Sequence, residues 1–197
     1  PLTVDSLSIF PQKINPFTPK NFVKCLIFLP ESAIIRKKRR MGGDGRVDKW
    51  DARFMELARV IANWASCYRP NRKIGCVIVK NKRIVTTGYN GAPAGIKTCI
   101  ERGECLREKL GIASGTRAEI CYAIHAEQNA IIQAAKLGSS IEGATLYCTH
   151  QPCVICAKMI VNAGISRVVY EEGYPDDFAR QIFAESGVKL ERFEPGK

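Results

Sequence analysis

The sequence predicts an α/β protein in which a mixed sheet of about five strands is sandwiched by helices as three α/β/α layers. Three observations carry that reading. An amphipathic helical period begins near Trp50, two β-rich runs joined by a polar turn follow it, and helix-like and strand-like segments alternate from His125 to Phe193. Alternation after a hairpin calls for crossover connections, so the sheet mixes parallel and antiparallel pairs and carries helices on both faces.

The elements follow in order. Trp50, Phe54, Leu57, Ala58, Ile61, Trp64, Ala65 and Tyr68 recur at three- and four-residue intervals, which predicts a helix ending before Pro70 with its aromatics in the core. Ile74–Val79 and Arg83–Thr87 read as strands, with Lys80-Asn81-Lys82 as their turn. After a long insert, His125 opens a helix running through Ala135. Next come a strand over Ala144–Cys148, a helix over Cys153–Asn162, a strand over Arg167–Tyr170, a helix over Asp177–Glu185 and a last strand over Val188–Phe193. Both His125 and Cys153 therefore open helices at strand ends, where α/β sites commonly lie.

His125-Ala126-Glu127 and Pro152-Cys153-Val154-Ile155-Cys156 hold the chemistry. One imidazole and two thiolates make three zinc ligands, and a catalytic zinc leaves its fourth position for water, whereas a structural zinc fills all four with protein atoms. Pro152 suits the first turn of a helix, which places Cys153 and Cys156 on one face, and a helix N-terminus favours thiolate over thiol. Two thiolates neutralise the ion, so its water needs a separate base. Glu127, two residues from a ligand, can take that proton and pass it to a ring nitrogen and a leaving amine. Alone, the Cys-x-x-Cys pair would equally suit a structural half-site or a redox pair, but neither use requires His125 or Glu127. The combined pattern is a zinc-deaminase signature.

From about Asp51 to Arg192 the chain resembles the cytidine deaminase-like superfamily. Within it the chain is similar to the deoxycytidylate (dCMP) deaminases, including the bacterial late-competence operon protein 2 type. The resemblance rests on Ile74-Gly75-Cys76-Val77-Ile78-Val79, Thr87-Gly88-Tyr89-Asn90-Gly91-Ala92-Pro93, His125-Ala126-Glu127-Gln128-Asn129-Ala130-Ile131, Thr145-Leu146-Tyr147 and Pro152-Cys153-Val154-Ile155-Cys156-Ala157. It implies zinc-dependent hydrolysis at C4 of a pyrimidine, dCMP giving dUMP and ammonia. The zinc ligands would be His125, Cys153 and Cys156, with Glu127 as the catalytic proton carrier. It also implies a homo-oligomer and brings dCTP and dTTP into view as effectors.

The same resemblance assigns Asn90 to a sugar hydroxyl, a task its amide suits with both donor and acceptor, although Asn-Gly would also make a turn. Ala126 stands beside the metal ligand as a substrate contact. His150 lines the base pocket or caps a strand end, and Tyr174 stacks on the base or packs at a boundary. The insert between Asn90 and His125 is far longer than an ordinary connection, and long loops are often functional. In tRNA adenosine deaminases this connection is short, so its length favours dCMP deaminases. It carries Cys99, Cys105 and Cys121, three ligands for a second, structural zinc that lacks an evident fourth. Its basic residues Arg102, Arg107, Lys109 and Arg117 could meet a phosphate, yet Glu101, Glu104, Glu108 and Glu119 interleave with them as on a solvated face.

The net charge is +11, of which residues 1–40 supply eight Lys/Arg against Asp5 and Glu31. Residues 1–47 are therefore expected to be a basic extension outside the core, with Met41 as a plausible natural start, and residues 48–197 the deaminase domain. The run Arg36-Lys37-Lys38-Arg39-Arg40 would otherwise read as a tether to nucleic acid or a membrane surface. The apolar stretch Cys25–Leu29 is too short to span a bilayer. Nine cysteines clustered near His and Glu suggest metal binding in a reducing compartment, hence the cytoplasm. A small deoxynucleotide is the expected partner, with no membrane and no nucleic acid. The alternatives are deamination of cytidine, cytosine, a riboflavin-pathway pyrimidine or tRNA adenosine, or a non-catalytic DNA-uptake protein on the same fold.

Overall fold

A computed structural model describes residues 49–113, 116–173 and 176–194. The basic segment over residues 1–47 lies outside the described residues, as does Tyr174. The elements are α1 (Lys49–Ala62), β1 (Gly75–Lys80), β2 (Arg83–Tyr89), α2 (Cys99–Arg102), α3 (Leu106–Lys109), α4 (Ala126–Lys136), β3 (Thr145–His150), α5 (Val154–Asn162), β4 (Arg167–Glu172), α6 (Asp177–Ser186) and β5 (Lys189–Arg192).

The five strands form one sheet in the order β2-β1-β3-β4-β5. β1 pairs antiparallel with β2 and with β3, whereas β3–β4 and β4–β5 are parallel, so the sheet is mixed as the alternation predicts. The β1–β2 turn places both Asn81 (φ 52°) and Lys82 (φ 62°) in the left-handed region, the backbone a two-residue hairpin turn of type I′ demands.

Alternation along the strands divides the core. Val77, Val79, Tyr147 and Val169 pack with Phe54, Met55, Ala58 and Ile61 of α1 on one face. Cys76, Ile78, Leu146, Cys148 and Val168 pack on the other with small residues of α4 and α5 and with Phe183 of α6. Two glycines permit the closest approaches. A Cβ on Gly75 would lie 2.0 Å from the Ala58 carbonyl oxygen, and one on Gly88 would lie 2.3 Å from that of Ala126. The helices thus rest directly on strand backbone at these points.

Across the α1 face, Asp51 accepts a 2.6 Å hydrogen bond from the Tyr147 hydroxyl and two from Arg167, at 2.8 Å each. Burial pushes the Asp51 carboxyl up, but the hydrogen bonds from Arg167 and Tyr147 and the guanidinium charge outweigh it and hold the group below its ordinary value.

The structure corrects several expectations. α1 stops at Ala62, and hydrogen bonds from Asn63, Trp64 and Ala65 to the residue three back tighten the chain out of the 3.6 period. Trp64 and Tyr68 are consequently exposed instead of core, at 61% and 48%, while Ala65 remains buried. Pro152 precedes the helix instead of occupying its first turn, because Cys153 is extended and serves as the N-cap. Asn90-Gly91 makes no tight turn: Gly91 has no positive φ and forms an isolated bridge to Ile124. Among the described residues, no helix is long and apolar enough to cross a membrane.

Candidate active site

The two metal motifs converge at the C-terminal edge of β3. His125 caps α4 and Cys153 caps α5, so both ligands sit where the chain turns into a helix. The His125 N–H donates to Gln128 Oε1 at 3.0 Å, and Gly91 and Ile124 exchange two backbone hydrogen bonds immediately before it. Asn129 adds a 2.7 Å hydrogen bond to the Tyr89 carbonyl, fastening the start of α4 to β2. On the other ligand segment, Asp176 accepts from the Val154 N–H and from the Ala179 N–H, at 2.9 Å each, which joins the first turns of α5 and α6.

His125 Nδ1 lies 3.6 Å from Cys153 Sγ and 3.4 Å from Cys156 Sγ. Tetrahedral zinc with ordinary Zn–N and Zn–S bonds separates such ligand atoms by roughly 3.5 Å, so the three residues fit the ion and leave a fourth position open. Among the described residues this is the one group of metal-ligating side chains whose ligand atoms all lie within 4.8 Å of one another. The electrostatics agree. A hydrogen bond from Cys156 and one from His125 draw the Cys153 thiol down to about 4, while the negative Cys153 beside it, together with burial, pushes Cys156 up. The shift favours the thiolate at Cys153, and a cation between the sulfurs would favour it at both.

Glu127 is 4% exposed on the first turn of α4. Burial raises its carboxyl above the ordinary value, against the pull of the His125 charge and a hydrogen bond with Cys156. A carboxyl shifted that way, next to a metal-ligand set, is suited to accept a proton and release it again. Behind it, Cys76 and Cys148 face each other across β1 and β3, fully buried, and exclude water from that side.

The remaining expected residues have different surroundings. Ala126 is fully buried with its methyl in the core, so only its backbone N–H, unpaired within the helix at this first position, could serve a ligand. Asn90 is nearly buried; its Oδ1 accepts from the Ile74 N–H and its Nδ2 donates to the Arg72 carbonyl, at 2.7 Å each. Its amide therefore braces the segment entering β1. His150 occupies the end of β3, in the alternation that puts Leu146 and Cys148 on the α4–α6 face, and burial pushes its imidazole below the ordinary histidine value.

Sequence reasoning grouped Cys99, Cys105 and Cys121 but missed Cys67. Burial raises both the Cys67 and Cys99 thiols, and negative charge on Cys121 and Cys105 would raise them further, which places all four cysteines in one neighbourhood. The Arg69 N–H hydrogen-bonds to the Cys67 sulfur and the Tyr68 N–H to that of Cys99. The signal available was the count alone: Cys67 is an unexplained thiol just before Pro70, three elements away in sequence from its neighbours.

A mixed five-stranded sheet bearing a His-Cys-Cys set and a buried glutamate at two helix starts defines a zinc-site deaminase fold. Residues 48–172 match the cytidine and deoxycytidylate deaminase zinc-binding region, and the chain belongs to that family. More particularly, it is 36% identical to deoxycytidylate deaminase of Schizosaccharomyces pombe over 74% of its own length and 44% of the relative's. It is 38% identical to ComE operon protein 2 of Bacillus subtilis, covering 74% of this chain and 71% of that one. The chain thus spans under half the length of the fission yeast relative. Its fold is similar to the crystal structure of dCMP deaminase from the cyanophage S-TIM5 in complex with dCMP and dUMP, with TM-score 0.62 and 32% identity over 75% of this chain and 99% of that one.

Proposed function

We propose that this protein hydrolyses dCMP to dUMP and ammonia, with His125, Cys153 and Cys156 holding a catalytic zinc and Glu127 carrying the proton. The observation that carries the reading is the 3.4–3.6 Å His125–cysteine triangle with a buried carboxyl beside it. The likeness to dCMP deaminases supports the choice of substrate.

Zinc, when bound, supplies a Lewis acid at which water becomes a nucleophile near neutral pH. Glu127 takes a proton from the attacking water and delivers it to the ring nitrogen as the new C–O bond forms at C4; it then carries the proton of the new C4 hydroxyl to the amino group, so that the carbonyl forms as the C–N bond breaks and ammonia leaves. Its burial keeps that proton from bulk water between the two transfers. The backbone N–H of Ala126 is offered to the base. The second N–H and lone pair of the Asn90 amide are offered to the sugar hydroxyl, with the first pair holding it in place. His150 closes the pocket as a neutral donor or acceptor, and Tyr174 is the remaining candidate for stacking on the base.

A second, structural zinc belongs to the same reading, held by Cys67, Cys99, Cys105 and Cys121. The shared neighbourhood of the four thiols and the two N–H groups directed at them support it. Their sulfurs are wider apart than those of the first set, so the ion would draw them together and order the insert as it binds. The reading also includes a homo-oligomer that responds to dCTP and dTTP and works in the cytoplasm.

The test is ammonia release from dCMP, deoxycytidine, cytidine, cytosine, dCTP and tRNA, with and without dCTP and dTTP as effectors. dCMP should be turned over with the highest kcat/KM. Faster release from any other amine would replace the substrate assignment.

A further inference from the structure

A helix commonly has an N-cap side chain that accepts from one of its own first free N–H groups. α5 does not: its N-cap is Cys153, which makes no such bond and whose sulfur belongs to the metal set. The first N–H of the helix, that of Val154, is taken instead by Asp176, 22 residues further on and the N-cap of α6. The same carboxylate caps its own helix. Oδ2 accepts from the Val154 N–H and Oδ1 from the Ala179 N–H, at 2.9 Å each.

Two helices therefore begin at one carboxylate. Helix N-termini carry partial charge of the same sign, and an anion between them offsets the cost of bringing them together. A carboxylate has an acceptor oxygen for each helix, whereas serine offers a single oxygen and asparagine replaces one with a donor. The frame also reaches the residue before the metal ligands: the Gln151 N–H donates to the Glu172 carbonyl at 2.6 Å, and Gln151 Oε1 accepts from Arg180 of α6 at 3.3 Å. Cys153 is thus held from both sides. Cys156 and Ala157 of α5 share a buried core with Ala179 and Phe183 of α6, so a shift of one first turn is felt by the other. On α4 the corresponding brace is local, Gln128 lying three residues from His125. The cysteine side borrows its brace from another helix.

We propose that Asp176 is a positioning residue for the metal: its carboxylate, shared between the Val154 and Ala179 N–H groups, holds Cys153 at its 3.6 Å spacing from His125, so that zinc retention depends on the junction of α5 with α6. The inference rests on the reading of His125, Cys153 and Cys156 as zinc ligands. It adds a residue that touches neither the metal nor the substrate.

The experiment compares wild-type holoprotein with D176S, D176A and D51N. Competition with a chromophoric chelator gives the affinity of the zinc whose loss stops turnover, and thermal melts give stability. Serine can still cap α6 whereas alanine cannot, so D176A should melt below D176S. Zinc affinity should nonetheless fall in both by roughly 10- to 100-fold, the scale on which losing a residue behind a metal ligand weakens binding, and added zinc should restore most of kcat. D51N, which cuts the Asp51–Arg167 pair on the opposite face of the sheet, should melt lower yet keep wild-type zinc affinity. Wild-type zinc affinity in D176S, or an equal fall in D51N, would overturn the proposal. Wild-type zinc affinity in C156S would overturn the parent reading instead, a result distinct from any pattern among the Asp176 variants.

Discussion

Arg167 of β4 holds Asp51 of α1 through two hydrogen bonds of 2.8 Å, one to each carboxylate oxygen, on the side of the sheet away from the metal set. The pair fastens the first helix to the parallel half of the sheet, and Tyr147 of β3 completes it from between. Its role is structural: α1 covers the face opposite the chemistry.

D51N should therefore lower stability by about 3 kcal/mol at neutral pH, the lower end of the cost of breaking a buried pair. The Asp51 carboxyl is held below its unfolded value, so its contribution is complete above that value and disappears as pH falls through the folded one. Thermal melts of wild type and D51N across pH 2 to 7 check this. Their difference should persist from pH 7 to about 5 and shrink toward pH 2.

G88A tests the contact between β2 and α4. A methyl there meets the Ala126 carbonyl and the Ala130 N–H and must push α4 away, at a cost of about 1–3 kcal/mol. Because His125 and Glu127 ride on the start of α4, deaminase activity should fall by roughly 100-fold, the scale set by an ångström of misplacement. Melting and kinetics on the same preparation separate the two effects.

C156S removes one of the two sulfurs facing His125 Nδ1. Zinc affinity at the catalytic set should drop by more than about 100-fold, beyond what losing an outer-shell partner costs. Competition with a chromophoric chelator measures it, and retained affinity would show that the metal is held elsewhere.

C67S addresses the other cysteines. Wild-type protein should carry two zinc ions per chain and C67S one, with the remaining ion at the catalytic set and the insert more readily cleaved by protease. Elemental analysis after gel filtration reads this directly; one ion in wild type would remove the structural zinc from the account.

Much of this was legible in the chain. The hairpin and the helix–strand alternation give the five-stranded sheet because burial on two faces leaves short unbroken apolar runs in β1, β3 and β4. The metal set was readable because His125, Glu127, Cys153 and Cys156 lie in two short motifs at helix starts, where local spacing fixes geometry. Trp64 and Tyr68 misled because the apolar period outlasts the helix: α1 tightens after Ala62, and no local signal announces it. Cys67 and Arg69 were invisible as partners of the insert for a different reason. Their neighbours in space, Cys99, Cys105 and Glu108, come from an insert whose path depends on tertiary contacts such as Arg69–Glu108.

The central claim is that Glu127 moves the proton while other residues hold the metal, and E127Q tests it most directly. Zinc per chain and rate of ammonia release should be measured on the same sample, with dCMP and with whichever substrate wild type prefers. The account predicts unchanged zinc content and a loss of kcat of at least about 100-fold, at the low end for a positioned acid–base group. Near-normal turnover by E127Q with full zinc would contradict it.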